Sequence, residues 1–432
     1  MRLITDWHIH SQYSRACSKD LVLPTIAKWC ERKGIHVAAT GDWTHPKWFE
    51  HLRENLVESD GEPGLYRLKN VGTPTSSPLG KGGNRGTRFM LVTEISQIYK
   101  KGGAVRRIHN LVFSPSLETC EKVNAELTRR EFNLKSDGRP ILGIDSEVLY
   151  RLLKEIDDRI IVVPAHAWTP WYSVFGSKSG FDALEECYGE MTKYIYAIET
   201  GLSSDPTMNW QLSSLDRVVM ISNSDAHSPR NLGREANMFN LERPSYDEFV
   251  QVLKNQDKKK FLYTIEFFPE EGKYHFDGCA ASEFCCHPKE SKRLGERCPK
   301  CGKKLTLGVL HRVEKLSDRD PDAVASRKIP YKSIVPLQEI IADAFDVGVS
   351  SKKVITAYDL LVEVAPEFEL LLETPIETIA KLVPDTLIAE GIRRVREGKL
   401  EILPGYDGIF GTVKIFGKED RSKKSSQGGL MF

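Results

Sequence analysis

Metal-ligand side chains follow short, β-like apolar stretches at five separate places in this chain. The five runs are Asp6-Trp7-His8-Ile9-His10, Thr40-Gly41-Asp42-Trp43-Thr44-His45, Thr93-Glu94, Pro164-Ala165-His166 and Ser224-Asp225-Ala226-His227. In α/β barrels the carboxyl ends of the strands meet at one face, and active sites are built there. The repeated layout therefore predicts that several strands deliver ligands to one end of a barrel.

Strand-like and helix-like segments alternate through the first half of the chain. Predicted strands cover residues 3–8, 36–40, 89–93, 108–113, 160–164, 194–198 and 218–222, and predicted helices include residues 24–32 and 146–156. Short buried strands that alternate with helices indicate an α/β fold with a parallel sheet or a barrel. A Cys-rich segment and then several helix-like segments follow.

We therefore predict four parts. A catalytic barrel covers residues 1–245, and a linker with a zinc-binding module covers 246–310. A mainly helical C-terminal domain covers 311–417, and a flexible basic tail covers 418–432.

The composition is that of a soluble globular protein, with 40 % hydrophobic and 28 % charged residues. No apolar run approaches the ~20 residues that a membrane span requires, and the first residues begin a strand without a signal-peptide pattern. The net charge is +1, so any attraction to nucleic acid must come from local basic surfaces. We expect a cytoplasmic protein with no membrane partner, and nothing in the sequence requires more than a monomer.

The candidate metal ligands are His, Asp and Glu residues that end or follow apolar runs. They are His8, His10, Asp42, His45, Glu94, His109, His166, Glu199, Asp225 and His227. Such a set could hold two or three divalent metals (Zn, Mg or Mn), although Asp42 or Glu199 could instead orient an imidazole. Metal-bound water is acidic enough to supply hydroxide near neutral pH, and paired metals stabilise both the attacking and the leaving oxygen at phosphorus. The sequence therefore predicts phosphoester hydrolysis.

Five of the nine cysteines lie in one short segment. They are Cys279, Cys285, Cys286, Cys298 and Cys301. The run Cys298-Pro299-Lys300-Cys301-Gly302 is typical of a zinc knuckle, in which two thiolates are presented across a tight turn. The second pair of ligands must come from Cys279, Cys285, Cys286 and His287. We predict one structural zinc here, because crowded cysteines in a reducing compartment favour metal binding over disulfides.

The motifs resemble those of a known enzyme family. Residues 6–14 (Asp-Trp-His-Ile-His-Ser-Gln-Tyr-Ser), Gly41-Asp42 and Ser224-Asp225-Ala226-His227 are similar to motifs of the polymerase-and-histidinol-phosphatase (PHP) superfamily. Residues 14–20, 41–46, 164–171, 199–206 and 233–237 resemble one branch of it, endonuclease Q, and the resemblance runs along the whole chain. It implies a distorted (β/α)7 barrel that carries up to three metals.

The resemblance also implies an activity. The protein would be a DNA repair nuclease that cuts the phosphodiester 5′ of a deaminated base (uracil, hypoxanthine or xanthine) or of an abasic site, in the nucleoid of an archaeal or bacterial cell. By motif, the first metal would be held by His8, His10, Glu94 and Asp225, the second by Glu94, His109 and His166, and the third by His45 with His227. Whether Asp42 or His45 is the direct ligand stays open. The resemblance favours Cys279 with Cys285 or Cys286 as the second pair of zinc ligands.

Two further groups of residues are candidates for holding DNA. The loop at residues 167–180 carries Trp168, Trp171, Tyr172, Phe175, Ser177 and Lys178. It could supply a stacking platform or wedge for a base taken out of the duplex, or its aromatic residues could simply close the barrel mouth. Arg15 and Lys19, just after the His-x-His strand, are candidate phosphate clamps at the rim of the metal site.

The last eight residues are Ser-Ser-Gln-Gly-Gly-Leu-Met-Phe. They resemble a peptide that docks into a DNA sliding clamp, with Gln427, Leu430 and Phe432 as the contact residues. Two other functions are compatible with a barrel of this kind: a small-molecule phosphatase, and a catalytically silent DNA- or clamp-binding scaffold. The zinc module, the helical domain and the tail favour a nucleic acid substrate over a metabolite.

Overall fold

The structure is a computed structural model that describes residues 1–69, 86–382, 386–417 and 419–420. The strands, β1 to β17 in chain order, are Arg2–Asp6, Val37–Ala39, Leu56–Ser59, Glu62–Leu68, Arg88–Lys101, Ala104–Ser114, Ile141–Leu142, Ile161–Pro164, Ala197–Glu199, Val219–Ile221, Ala236–Asn240, Phe261–Glu266, Asp277–Cys279, Phe284–Cys286, Tyr331–Ser333, Glu401–Leu403 and Thr412–Lys414. The helices, α1 to α14, are Leu23–Lys33, Pro46–Asn55, Leu117–Arg129, Ser146–Ile156, Leu184–Tyr188, Pro206–Trp210, Tyr246–Asn255, Pro288–Arg293, Val309–Leu316, Leu337–Phe345, Lys352–Val364, Glu367–Leu372, Ile376–Leu382 and Thr386–Arg396.

The main sheet is mixed. Strands β1, β2 and β5 are parallel neighbours, whereas β5 and β6 are antiparallel over eleven residue pairs and β6 is antiparallel to β8. The predicted α/β fold is confirmed, but the predicted alternation of strand and helix fails between β5 and β6. Gly102 and Gly103 join these strands directly with positive φ angles of 62° and 76°, a conformation that suits a tight hairpin turn.

Backbone hydrogen bonds link the remaining strands of the first half. Strands β9 and β10 are parallel, and Ala167, just after β8, donates its N–H to the carbonyl of Glu199 in β9 at 2.9 Å. On the other side, His10 donates its N–H to the carbonyl of Ala226 at 3.2 Å, which connects the segment after β10 with the segment after β1. These bonds bring the ends of β8, β9, β10 and β1 to one place.

Helix α4 shows how the sequence dictates the outer layer. Its apolar residues recur at helical spacing, so that Leu149, Tyr150 and Leu153 are buried on one face. The side chain of Asp145 caps its first turn by accepting a hydrogen bond from the N–H of Glu147. The structure gives the helix the predicted bounds, residues 146–156.

The helices after α9 pack on the first half of the chain. Lys33 at the end of α1 forms an ion pair of 2.8 Å with Glu367 of α12, and both side chains are almost completely buried. Buried apolar residues of α10, α11, α12 and α14 belong to the same hydrophobic core as the strands. The Cys-rich segment has its own small core around Cys279, Cys298 and Leu305.

Helices in the described part of the chain are all too short or too polar to cross a membrane. The predicted clamp-binding residues Gln427, Leu430 and Phe432 lie outside the described residues, so that prediction stays a prediction from sequence.

Candidate metal centre

Glu94 of β5 lies at the centre of the site. One carboxylate oxygen, Oε1, is 2.6 Å from Nδ1 of His109 and 3.0 Å from Nε2 of His166. The other, Oε2, is 3.6 Å from Nε2 of His8 and 3.5 Å from Nε2 of His10. The carboxylate therefore has one oxygen toward each of two imidazole pairs, as a ligand shared between two ions does.

Asp225 completes the second side of the site. Its Oδ1 atom is 3.0 Å from Nε2 of His10 and 3.4 Å from Nε2 of His8. The imidazole of His227 lies 4.7 Å from that of His10, centroid to centroid. Ligand atoms within 4.8 Å of one another thus form three groups: His8, His10 and Glu94; His10, Asp225 and His227; and Glu94, His109 and His166.

Carboxylates hold the far nitrogens of the first two imidazoles. Glu199 lies 3.0 Å from Nδ1 of His8, and Asp42 lies 3.1 Å from Nδ1 of His10. Asp42 also accepts hydrogen bonds from the backbone and side chain of Ser11 and from Ser14. Glu199 and Asp42 therefore stand behind the two imidazoles and direct each Nε2 toward the centre, which is the usual arrangement around metal-bound histidine.

Nε2 of His8 is buried and has no hydrogen-bond partner among the described residues. An unpaired polar atom at this depth is costly unless a ligand satisfies it. Since it faces Glu94 and Asp225, a divalent cation between these groups would satisfy it, and the donor set fits such an ion.

The protonation states also fit a cation. Although burial opposes ionisation, the neighbouring His109 imidazole, which can hydrogen-bond to the carboxylate, and the charge of Arg139 hold the pKa of Glu94 well below its usual range. Burial lowers the pKa of His109 to about 4, which leaves this imidazole neutral near neutral pH. Despite burial, the surrounding carboxylates raise the pKa of His10 to about 9. A bound cation would replace the proton on His10, because metal ligands must be deprotonated.

Sharp turns follow the strands that carry these site residues. Asp42, His166 and Asp225 all have positive φ angles, of 45°, 30° and 46°. Such strained backbone is common at functional sites, where the surrounding structure enforces it. Asp6 at the end of β1 accepts hydrogen bonds from the Ser224 side chain at 2.6 Å and the Gly233 N–H at 2.9 Å, and so holds the turn that carries Asp225.

Arg139 is a site residue that the sequence analysis missed. Its guanidinium Nη1 lies 3.0 Å from Oε2 of Glu94, and the Glu94 charge raises the pKa of Arg139 further above its ordinary value. Asp137 accepts a hydrogen bond from the Arg139 N–H at 3.1 Å and one from the Arg15 N–H at 3.2 Å. The loop before β7 therefore adds a positive charge beside the metal ligands.

His45 belongs to none of the three ligand groups found among the described residues. Its ring stacks on Tyr13, with 4.4 Å between centroids. His227 is grouped instead with His10 and Asp225. The geometry thus brings His227 but not His45 to the other ligands, and the assignment of these two residues to a third metal stays a prediction.

The loop at residues 167–180 divides into a buried and an accessible part. Trp168 and Phe175 are buried against each other, with 4.8 Å between ring centroids. Trp171 is 49 % exposed, and the Tyr172 ring lies 4.7 Å from that of the ligand His109. Ser177 and Lys178 are exposed as well.

The candidate phosphate clamps lie on the surface. The Arg15 side chain is 83 % exposed and lies 3.6 Å from Asp137, the residue that also holds the backbone of Arg139. Lys19 is exposed and donates to the carbonyl of Gln12 at 3.2 Å. Arg15 is therefore linked to the site through Asp137, while Lys19 has no such link among the described contacts.

Three of the five candidate zinc ligands come together. Cys279, Cys298 and Cys301 form one group, and the sulfurs of Cys279 and Cys301 are 3.8 Å apart. Cys285 instead lies 4.0 Å from the carbonyl of Pro404, and neither it nor Cys286 belongs to the group. The expectation that Cys285 or Cys286 pairs with Cys279 is not supported by this arrangement.

A mixed α/β fold with a buried centre of imidazoles and carboxylates defines a metal-binding enzyme of the phosphoesterase kind. The chain superimposes on the crystal structure of the lesion-specific endonuclease PfuEndoQ from Pyrococcus furiosus with a TM-score of 0.81, 30 % identity and coverage of 98 % of this chain and 99 % of that one. Endonuclease Q in complex with a 27-mer duplex that carries an abasic lesion at the active site gives a TM-score of 0.80, 30 % identity and coverage of 97 % and 98 %. The chain belongs to the endonuclease Q family.

Two sequence relatives are uncharacterised proteins. YqxK of Bacillus subtilis is 31 % identical over 425 residues, 96 % of this chain and 99 % of that protein. MJ0043 of Methanocaldococcus jannaschii is 31 % identical over 319 residues, 68 % of this chain, and the match spans only 40 % of that longer protein. The family model of the MJ0043 C-terminal domain matches residues 336–399, within the helical region.

Proposed function

We propose that this protein is a metal-dependent DNA endonuclease that cuts the phosphodiester 5′ of a deaminated base (uracil, hypoxanthine or xanthine) or of an abasic site. The observation that carries the proposal is the Glu94 carboxylate shared between two imidazole pairs, in a chain that matches lesion-specific endonucleases over nearly its full length. Clusters of this kind bind the divalent ions that activate water for phosphoester hydrolysis.

The ligands divide between neighbouring ions. His8, His10, Glu94 and Asp225 would hold one ion, and Glu94, His109 and His166 would hold a second. His227, beside Asp225, is the candidate ligand for a third. When bound, the ions supply an activated water and stabilise charge on the phosphoryl oxygens.

The protein residues position these groups. Glu199 and Asp42 orient His8 and His10, and Arg139 adds a fixed positive charge beside Glu94, where it would face a phosphate bound at the ions. Such preorganised charge stabilises the transition state more than the ground state.

The strand contacts support a distorted (β/α)7 barrel. Pairing runs from β1 through β2, β5, β6 and β8, and backbone bonds continue through β9 and β10 back to the segment after β1. Seven strands take part in this circuit, and all the metal ligands lie on them or directly after them.

The accessible part of the 167–180 loop is the proposed contact with DNA. A base must leave the duplex before an enzyme can inspect it, and exposed aromatic rings can stack on the bases it disturbs. Trp171 and Tyr172 lie next to the His109 side of the metal centre, and Lys178 and Arg15 offer charge to phosphates nearby.

Two partners of the C-terminal half complete the proposal. A structural zinc held by Cys279, Cys298 and Cys301 would stabilise the small Cys-rich core. The tail residues Gln427, Leu430 and Phe432 would bind a sliding clamp of the PCNA type, a proposal that the sequence alone supports.

The decisive experiment uses end-labelled duplexes with one deoxyuridine, one deoxyinosine or one abasic site, and an undamaged duplex of the same sequence. With Mn²⁺ or Mg²⁺ we expect a single cut directly 5′ of the lesion, and no cut after chelation. The Asp225→Ala variant should not cleave these duplexes but should still bind them. Asp60→Ala is the matched control, because that carboxylate is 97 % exposed and lies in a surface turn.

Other outcomes would favour the other functions. Turnover of small phosphomonoesters without DNA cleavage would identify a phosphatase. DNA binding with no hydrolysis by the wild type under any metal would identify a silent scaffold.

A further inference from the structure

The three-cysteine cluster has a fourth polar neighbour. The Oγ atom of Ser282 lies 3.0 Å from the sulfur of Cys279, 3.4 Å from that of Cys298 and 3.2 Å from that of Cys301. Four zinc ligands at the corners of a tetrahedron, with Zn–S bonds of about 2.3 Å, have sulfurs about 3.8 Å apart. The observed separation of 3.8 Å between Cys279 and Cys301 matches this value.

The chain spacing explains why a serine stands here. Cys279-Ala280-Ala281-Ser282 has the same two-residue spacer as Cys298-Pro299-Lys300-Cys301. Two turns with this spacing are the usual frame of a four-ligand zinc site. The Lys300 ammonium donates to the carbonyls of Ser282 and Glu283, both at 3.1 Å, and so joins the two turns.

The other candidates for the fourth position lie outside the three-cysteine group, whose ligand atoms are all within 4.8 Å of one another. On β14, Cys285 lies 4.0 Å from the carbonyl of Pro404, whereas Cys286 packs against the small core of Cys279, Cys298 and Leu305 without belonging to the sulfur group. Nδ1 of His287 accepts a hydrogen bond from the N–H of Lys289 at 3.2 Å and caps α8.

We propose that Ser282 occupies the fourth position of the zinc site, which therefore has three thiolates and one hydroxyl. This inference rests on the zinc proposed above. A hydroxyl is a weaker zinc ligand than a thiolate, and Cys301 beside it is exposed. The ion is consequently accessible from solvent on the Ser282 side and exchanges faster than an ion held by four cysteines.

The test counts sulfur ligands in the full-length protein. Co²⁺ is titrated into metal-free protein, and the thiolate-to-cobalt charge-transfer band is measured, because its intensity rises with the number of Co–S bonds. Histidine and carboxylate ligands in the barrel do not contribute to this band. Ser282→Cys should raise the intensity by about one third relative to the wild type, and Cys301→Ser should lower it by about one third, as expected for three thiolates.

Two further variants separate coordination from packing. Ser282→Ala should keep the wild-type intensity, because no thiolate is lost. It should weaken Zn²⁺ affinity by about ten- to a hundredfold, the usual effect of losing a group that supports a metal site. Cys285→Ser and Cys286→Ser are the matched controls, and both should leave the intensity and the affinity unchanged.

An unchanged band in Ser282→Cys, or a band lowered by one quarter in Cys286→Ser, would overturn the assignment of Ser282 while leaving a zinc site in place. The absence of any thiolate band in the wild type would overturn the zinc site itself. Neither result would bear on lesion cleavage, which is measured separately with the barrel variants.

Discussion

The Glu199 carboxylate lies 3.0 Å from Nδ1 of His8, on the side of the ring opposite the metal centre. Glu199 also accepts a hydrogen bond from the His166 N–H at 2.7 Å. One buried carboxylate thus orients one ligand through its side chain and another through its backbone. Its contribution to metal binding is indirect, and it can be removed without deleting a ligand.

We expect Glu199→Gln to weaken metal binding by about ten- to a hundredfold, the usual effect of losing a carboxylate behind a ligating histidine. Cleavage should fall at limiting Mn²⁺ and recover largely at excess Mn²⁺. The measurement is the initial rate on deoxyinosine DNA as a function of metal concentration. Loss of activity that no metal concentration restores, as expected for His8→Ala, would instead make Glu199 a direct ligand.

Arg139→Ala should lower the single-turnover cleavage rate by about a hundredfold, because a fixed charge beside the reacting phosphate is lost. DNA affinity should change little, since one contact among many is removed. Arg129→Ala is the matched control, because that guanidinium is 69 % exposed and pairs only with Glu126 of its own helix among the described contacts. Equal effects of the two substitutions would refute a role for Arg139.

Local sequence pattern was enough to predict most of the residues that the structure brings together at the candidate metal centre. A His-x-His strand places His8 and His10 on one face, and Glu94 and Asp225 directly follow apolar runs. Arg139 could not be found in this way, because it lies in a loop, where no periodic pattern of apolar residues indicates which side chains point into the site. Its only local signal is the Gly138-Arg139-Pro140 turn.

Two other features are also poorly marked by local pattern: the length of strand β5 and the ligands in the Cys-rich segment. Strand β5 continues for fourteen residues, to Lys101, whereas the sequence predicted it only over residues 89–93. The polar residues after Thr93 mask the continuation, although the strand is buried there. In the Cys-rich segment, the cysteine pattern favoured Cys285 or Cys286 beside Cys279, and that assignment stays a prediction, although neither belongs to the group of Cys279, Cys298 and Cys301. A cysteine pattern does not mark a serine as a ligand.

Trp171 and Trp168, three residues apart, should respond differently to replacement by alanine. Loss of the exposed Trp171 should weaken binding of lesion DNA by about 1–3 kcal/mol with little effect on stability, as expected for a stacking residue. Loss of the buried Trp168, whose indole donates to Asn209 at 2.8 Å, should destabilise the fold by about 3–5 kcal/mol. Affinity is measured in an Asp225→Ala background and stability by urea unfolding. Unchanged affinity in Trp171→Ala would remove this loop from the DNA contact.

His36 should make the fold sensitive to mild acid. Burial, aided by the charge of Arg88, lowers its pKa from 6.5 to about 4, and its Nδ1 accepts a hydrogen bond from the N–H of Ile4 at 3.1 Å. Below pH 6.5 the unfolded chain therefore binds a proton at His36 that the folded chain does not bind. The contribution of neutral His36 to the free energy of unfolding is complete above pH 6.5. It is lost as the pH falls toward 4, by up to about 3 kcal/mol. His36→Asn, which retains an acceptor, should lose less stability between pH 7 and pH 5 in urea unfolding. The same pH dependence in both proteins would contradict this explanation.

The buried ion pair between Lys33 and Glu367 tests whether the helical region unfolds separately. Glu367 also accepts hydrogen bonds from the Leu337 N–H at 3.0 Å and the Tyr358 hydroxyl at 2.8 Å, so Lys33→Met leaves its negative charge buried without a cationic partner. Removing one member of such a pair costs about 3–5 kcal/mol.

Because the helices share one core with the strands, we expect a single unfolding transition that moves as a whole to lower urea concentration in Lys33→Met. Lys122→Met, at an exposed pair with Glu118 on α3, is the control and should move the transition by less than about 1 kcal/mol. Two transitions, of which only the one that reports on the helical region moves, would show that residues 311–417 fold as a domain of their own.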